Sequence, residues 1–153
     1  MAGEDQDAFG RALLRETERR LFDELIPRLH RALSLLSTEE IWRRPNENTP
    51  SVGNLVLHLC GNVRQWIGSG IGGAPDIRRR PEEFAEKGPL PKEDLARRIG
   101  EMEALARKAL VEADPAVLLE SRRVQIFQES RLAILVHVVE HFSYHVGQIS
   151  YVA

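Results

Sequence analysis

Three of the five histidines of this chain lie at four-residue intervals near its C-terminus, in HVVEHFSYHVGQ, residues 137 to 148. On a helix that turns by about 100° per residue, His137, His141 and His145 form one narrow stripe, and Gln148 returns to the middle of it. Imidazoles at i and i+4 can bind the same metal ion, whereas positions i and i+8 are about 12 Å apart along the axis, which is too far. At most two of the three can share an ion, so a third protein ligand has to come from another helix.

A second polar stripe interrupts the apolar segment SVGNLVLHLCGNVRQWI, residues 51 to 67. It consists of His58, with Asn54 and Asn62 one turn away on either side. His58 is therefore the candidate third ligand, and the two amides are candidates to orient its ring, because a ligating histidine usually hydrogen-bonds through its other nitrogen. Hydrogen-bonded core histidines would give a similar pattern, and the isolated His30 is assigned to that class.

Four segments with helical apolar periodicity must position these residues. They run from about Phe9 to Leu36, from Ser51 to Ile67, from Lys92 to Ala113 and from Glu129 to Tyr151. Pro27 should bend the first helix without ending it. Ser37 with Glu40 has capping-box spacing for a short turn that ends near Trp42, and Ser51 is a good N-cap. With no convincing strand, these helices predict an all-α four-helix bundle.

The connection between the second and third helices, residues 68 to 91, is 24 residues long. It can cross the length of a bundle, which predicts an up-down-down-up arrangement with helices two and four antiparallel. That arrangement favours His141 and His145 as partners of His58, whereas an up-down-up-down bundle would bring His137 nearer. Residues 116 to 128 could hold a helical turn or an extended piece.

Two short patterns are interpreted as structural. Gly68, Gly70 and Gly73 spell G-x-G-x-x-G, but the run follows a helix and leads into Ala74-Pro75, so we expect a flexible loop and no phosphate site. The residues from His137 to His141 match the H-x-x-E-H pattern of inverted zinc peptidases, but only twelve residues follow His141, where those enzymes take a ligand well downstream.

The composition indicates one soluble domain over residues 1–153. Hydrophobic residues make up 42% and charged residues 29%, and the formal net charge of −2 gives no reason to expect nucleic acid or an anionic membrane as a partner. The single cysteine, Cys60, excludes an internal disulfide and suits a reducing compartment; we expect an ordinary buried thiol. The acidic N-terminus lacks the pattern of a signal peptide, so a cytoplasmic location is expected.

Residues 51–67, together with HVVEHFSYHVGQI, residues 137–149, resemble the DinB/YfiT-like superfamily of bacterial metal-binding four-helix bundles. The upstream WRRPNENTP and the PDIRRRPEEF that follows helix two are similar to one branch of uncharacterised members. The resemblance implies metal ligands at His58, His141 and His145, no ligand role for His137, the up-down-down-up bundle and frequent homodimers. Characterised relatives include transferases that use low-molecular-weight thiols, and others are described as metal-dependent hydrolases.

Three neutral imidazoles would leave a divalent ion with open positions, as in catalytic sites. Such an ion lowers the pKa of water for hydrolysis, or of a thiol for S-transfer. Zinc, nickel, iron and cobalt all suit imidazole. We expect a metal-dependent enzyme that transfers a small thiol to small electrophiles; the alternatives are a metal-dependent hydrolase and a stress-related metal-binding module without turnover.

Further residues are candidates for supporting roles. Glu140 and Tyr144, on the flank of the histidine stripe, are candidates for catalysis, and Gln148 for holding a water or a substrate oxygen. The basic run Arg78-Arg79-Arg80 could hold the carboxylate of a thiol, although a solvated charged loop is the commoner case. Trp42 and Trp66 could fall in a dimer interface.

Overall fold

The computed structural model describes the backbone of residues 2–153 and, apart from residues 2–4 and 6, their side chains. Helix α1 (Ala2–Glu18), a π-helical stretch (Arg19–Leu25) and α2 (Ile26–Leu35) form one continuous first helix, followed by the short α3 (Thr38–Trp42). Helix α4 (Val52–Val63) continues into a second π-helical stretch (Arg64–Ile71), and α5 (Arg80–Ala85) and α6 (Lys92–Glu112) follow. A 3₁₀ turn (Pro115–Val117), strands β1 (Ser121–Val124) and β2 (Phe127–Ser130), and α7 (Arg131–Val152) complete the order. The predicted all-α class is confirmed, with α3, α5 and a hairpin added to four long helices.

Side-chain partners along the helices define their directions. Trp66 stacks on His137, whereas His58 lies against His145, so α4 and α7 are antiparallel. A Cβ on Gly68 would meet Leu105, and one on Gly72 would meet Ala109, so α4 and α6 are parallel. The crossover topology predicted from the length of the connection is therefore confirmed.

The first helix packs antiparallel to α6. Gly10 lies against Pro115, near the end of α6, whereas the Arg107 guanidinium stacks over the Phe22 ring at 4.2 Å. All four long helices contribute fully buried side chains to one core, among them Leu29, Leu59, Ile99 and Leu135. Within the described residues, no helix is both long and apolar enough to span a bilayer.

The predicted helix starts at residues 37 and 51 are confirmed. Ser37 forms a capping box with Glu40, and Ser51 forms one with Asn54: the Ser51 Oγ accepts from the Asn54 N–H, and the Asn54 Oδ1 accepts from the Ser51 N–H, both at 3.1 Å. Pro27 does not end the first helix, as predicted; it lies directly after the π-helical stretch, in the first turn of α2.

The loop predicted for the glycine-rich run is wrong for its first half. Gly68 and Gly70 are helical and buried. A Cβ on Gly68 would be 2.5 Å from Leu105 Cδ2, and one on Gly70 would be 3.0 Å from Val124 Cγ2, so these glycines allow α6 and the hairpin to approach α4. The connection therefore begins near Gly72, and it carries α5.

Residues 116 to 128 form the 3₁₀ turn and most of a two-stranded antiparallel hairpin, so both alternatives left open for this segment, a helical turn and an extended piece, are present. The register pairs Ser121 with Ser130 and Val124 with Phe127. Gln125 turns the chain with a positive φ of 55°. Its side-chain amide donates to the Gln65 Oε1 at 2.5 Å, which ties the hairpin to the extension of α4.

Candidate metal centre

Three histidines from two helices converge at one point of the bundle. His58 comes from α4, and His141 and His145 come from successive turns of α7. One ring nitrogen from each lies within 4.8 Å of the others, and the Nε2 atoms of His58 and His141 are 3.0 Å apart. Nitrogens bound at about 2.1 Å to one tetrahedral ion are about 3.4 Å apart, so small side-chain adjustments would let these residues hold a divalent ion.

The remaining two histidines lie outside this group. The His137 ring packs on Trp66, with centroids 4.5 Å apart, and its Nε2 is buried without a hydrogen-bond partner. His30 is exposed on α2, so its assignment to the core is wrong; the neighbouring Leu29 takes the core position. The structure brings together the three histidines that the resemblance implied as ligands.

Two of the three imidazoles have an oxygen atom beside Nδ1. The Nδ1 of His58 is 3.0 Å from the Oε2 of Glu83, and the Nδ1 of His145 is 2.7 Å from the Oε1 of Gln148. The Nδ1 of His141 is buried with no partner. Gln148, a candidate for holding water or substrate, thus contacts one of the clustered rings directly.

Glu83, which contacts the His58 ring, was not predicted from the sequence. Its Oε1 accepts from the Arg78 Nε at 2.7 Å, and its Oε2 accepts from the Arg78 Nη2 at 2.9 Å. The two side chains are only 10% and 6% exposed. Burial alone raises the pKa of the Glu83 carboxyl, but the hydrogen bonds from Arg78 and His58 outweigh it, and the pKa is lowered overall.

The two asparagines next to His58 do not hydrogen-bond its ring. The Asn54 side-chain amide donates to the backbone oxygens of Glu83 at 2.9 Å and of Glu86 at 2.8 Å. Asn54 therefore attaches the segment that carries Glu83 to α4. The Oδ1 of Asn62 is buried without a hydrogen-bond partner.

The imidazoles of α7 are neutral at physiological pH. Burial, followed by the neighbouring His145 and His58, lowers the pKa of His141 to about 3. Burial also lowers the pKa of His145, against the hydrogen bond to Gln148. Neutral imidazoles keep the lone pairs that bind a cation, so a divalent ion could bind these two rings without the release of protons from them.

The three consecutive arginines have different surroundings. Arg78 is occupied by Glu83 and also donates from Nη1 to the Gln65 Oε1 at 2.9 Å. Arg79 pairs with Glu82 on the surface. Arg80 stacks over Phe84 at 5.3 Å, and Phe84 lies 4.9 Å from the His58 ring. No carboxylate pairs with Arg80 anywhere in the described part of the chain.

The candidate catalytic side chains lie on the solvent side of α7. Tyr144 is 64% exposed, and its ring centroid is 5.2 Å from that of His145. Glu140 is exposed one residue before His141. Cys60 is buried, and burial raises the pKa of its thiol to about 12, which fits the predicted unreactive thiol.

A cleft of about 400 Å³ opens elsewhere, between α4, the crossover and α6. Gly61, Arg64 and Arg98 line it, and the Arg78–Glu83 pair forms part of its wall. None of the three clustered histidines lines this cleft. Tyr144 and Gln148, which contact His145, are both exposed.

Comparison with known proteins gives two findings. A family model described as mycothiol-S-transferase matches residues 18–152. A crystal structure described as the conserved protein of locus from Enterococcus faecalis superposes with a TM-score of 0.63 and 17% identity, over 95% of this chain and 93% of that one. At that identity the likeness is one of fold. No curated protein matches the chain.

Proposed function

Since the chain belongs to the mycothiol-S-transferase family, we propose that it is a metal-dependent enzyme that transfers a low-molecular-weight thiol, mycothiol or a similar compound, to small electrophiles. The observation that carries the proposal is the convergence of His58, His141 and His145 within 4.8 Å. In the reaction the thiol sulfur bonds to an electrophilic carbon, the thiol proton is released, and the leaving group departs with its bonding electrons.

We assign one divalent ion, zinc, nickel or iron, to these three histidines. When bound, the ion would favour the thiolate form of a thiol at neutral pH, which is the nucleophilic form. All three ligands are uncharged when they bind, so an anionic sulfur is electrostatically favoured at the centre. His137 is assigned no ligand role, because its ring is stacked on Trp66.

The residues around the centre have separate proposed roles. Gln148 orients the His145 ring through Nδ1. Arg80 is the member of the arginine run that we assign to a substrate carboxylate, because it adjoins Phe84 and has no acidic partner in the described residues. Arg78 would have to release Glu83 to serve in the same way. Glu140 remains the candidate acceptor of the thiol proton, and Tyr144 is the candidate to hydrogen-bond the substrate, since both lie on the exposed flank of the cluster.

We also propose that the protein is a cytoplasmic homodimer. The dimer rests on the resemblance to the superfamily. The tryptophans do not support it, because Trp42 and Trp66 are 9% and 7% exposed and belong to the core. The cytoplasm is proposed because small thiols are kept reduced there. Light scattering at micromolar concentration should report twice the mass of one chain, and a monomer would contradict the dimer.

Alanine replacement tests the ligand assignment and the activity together. His58→Ala, His141→Ala and His145→Ala should each abolish stoichiometric metal at neutral pH and the metal-dependent loss of thiol in the presence of an alkyl halide. His137→Ala is the matched control from the same helix stripe and should retain both. Metal is measured by plasma emission on protein purified without a nickel column.

Two outcomes of this experiment would contradict the proposal. Equal loss of metal from all four variants would mean that the histidine stripe had been misinterpreted. Full metal content with thiol-independent ester hydrolysis would favour the metal-dependent hydrolase instead.

A further inference from the structure

We propose that Glu83 is a positioning residue: it fixes the His58 ring in the tautomer that carries its proton on Nδ1 and keeps the Nε2 lone pair directed at His141. The inference rests on the metal assignment in the proposed function, but it concerns the state of His58 before any ion binds. It gives a role to the buried Arg78–Glu83 ion pair of the crossover. This pair makes no hydrogen bond to His141 or His145.

The proton count at Nδ1 supports one tautomer. An ionised carboxylate only accepts hydrogen bonds, so the 3.0 Å contact between Glu83 Oε2 and His58 Nδ1 is a hydrogen bond only if Nδ1 carries the proton. A neutral imidazole has one N–H, and Nε2 is then left with a lone pair. That Nε2 is the atom 3.0 Å from the Nε2 of His141.

Arg78 is a second possible hydrogen-bond partner of the same nitrogen. Its Nη2 is 3.1 Å from the His58 Nδ1 and carries a second N–H besides the one that it donates to Glu83 Oε2. If Arg78 donated to Nδ1 instead, the Glu83 carboxylate would face a nitrogen lone pair at 3.0 Å. Arg78 therefore holds the carboxylate, and the carboxylate holds the ring.

Several contacts hold Glu83 itself in place. Asn54 donates to the Glu83 backbone oxygen at 2.9 Å, and the Arg44 Nη2 donates to the backbone oxygen of Phe84 at 2.6 Å. Gly61 leaves room for the side chain, because a Cβ there would overlap the Glu83 Oε1. A buried ion pair adds little net stability, so its placement behind His58 is better explained by orientation of the ring.

Adjacent glutamates provide a matched test. Glu82 lies in the same short helix but is 67% exposed and pairs with Arg79 at the surface. In Glu83→Gln the side-chain amide can either accept from Nδ1 or donate to it, so the tautomer is no longer fixed. Nitrogen-15 NMR of the metal-free protein should show the Nδ1–H tautomer of His58 in the wild type and in Glu82→Gln, and a mixture in Glu83→Gln. Because partners of this kind typically change metal affinity by 10–100-fold, Co²⁺ binding should weaken by about that factor in Glu83→Gln alone.

A second variant moves the carboxylate without removing it. Gly61→Ala should displace the Glu83–Arg78 pair and reproduce both effects, whereas Gly100→Ala should produce neither, because nothing lies within 4 Å of a Cβ at Gly100. If folded Glu83→Gln and Gly61→Ala proteins keep a pure Nδ1–H tautomer, or keep wild-type Co²⁺ affinity with the tautomer lost, the proposal is overturned. A lowered melting temperature with an unchanged tautomer would show a structural role only.

The two proposals fail in different ways. A wild-type protein that binds no divalent ion stoichiometrically would refute the metal centre. The tautomer of His58 in that metal-free protein would still show whether Glu83 controls the ring.

Discussion

The protonation state of His141 is set by its surroundings. Burial, then the nearby imidazoles of His145 and His58, holds its pKa near 3. It is one turn from His145 and only 3.0 Å from the Nε2 of His58, so a proton placed there would repel any charge on both neighbours. A neutral imidazole keeps the lone pair that a divalent ion would bind.

The depressed pKa of His141 makes the stability of the metal-free protein depend on pH. Between about pH 6.5 and 3 the unfolded chain binds a proton at His141 and the folded chain does not, so the free energy of unfolding should fall as the pH is lowered through that range. His141→Gln cannot titrate and should show a shallower dependence. Urea unfolding at a series of pH values measures both proteins, and parallel curves would contradict the assigned pKa.

The histidine pair on α7 could be predicted because residues four apart on a helix are neighbours by local geometry alone. Glu83 could not, because it lies 25 residues after His58 on a connection whose path depends on tertiary contacts. The same uncertainty affected the arginine run: the commoner case was a solvated loop, yet the Arg78 side chain is 6% exposed. Pairing across a crossover leaves no periodic pattern in the sequence.

The crossover is positioned by a tryptophan at the end of α3. The Trp42 Nε1 donates to the backbone oxygen of Leu90 at 3.1 Å, and the ring lies between two glycines. A Cβ on Gly53 would be 2.7 Å from the ring, and one on Gly88 would overlap it. Gly88 also has a positive φ of 60°, which side chains disfavour.

Gly88→Ala should therefore destabilise the protein and loosen the crossover that carries Glu83. The strained φ and the overlap with Trp42 together should cost roughly 1–3 kcal/mol of unfolding free energy. Gly100→Ala, in the middle of α6 with open space around it, should be neutral or stabilising. Chemical unfolding compares the two, and equal stabilities would show that Trp42 does not hold the crossover as described.

Helix starts could be predicted from the sequence better than helix ends. The capping boxes at Ser37 and Ser51 depend on residues three apart, and both are present. The second long helix was predicted to end at Ile67 but continues through the π-helical stretch to Ile71, because the glycines at 68 and 70 have the composition of a loop. They are helical because Leu105 and Val124 pack against them, and that contact is decided by the parallel approach of α6 and by the hairpin.

In the whole molecule, one long crossover decides which histidines meet. It makes α6 parallel to α4 and leaves α7 antiparallel to α4, so His58 faces His141 and His145 while Trp66 faces His137. Up-down-up-down connectivity would have placed His137 nearer to His58. The length of the connection was enough to predict this arrangement. A short link cannot reach from the C-terminus of one helix to the N-terminus of a parallel neighbour, which lies at the other end of the bundle.

We expect the chain to unfold as one domain. Trp42 lies beside the crossover and Trp66 beside the hairpin, so the two rings report on different parts of the core. Trp42→Phe and Trp66→Phe each keep one tryptophan. Within each variant, the urea unfolding curve measured by fluorescence should coincide with the curve measured by circular dichroism. Fluorescence and circular dichroism midpoints that differ within either variant would show two independently unfolding units.

The proposed thiol-transfer function is tested most directly by the absorption spectrum of the Co²⁺-substituted protein during titration with a low-molecular-weight thiol. Three imidazoles leave the ion an open position, so a thiolate should enter it and produce a sulfur-to-cobalt charge-transfer band in the near ultraviolet. The band should appear in the wild type and in His137→Ala, and it should be absent from His58→Ala. A wild-type protein that binds Co²⁺ stoichiometrically, but whose spectrum does not change with mycothiol or any other small thiol, would contradict thiol transfer at this centre.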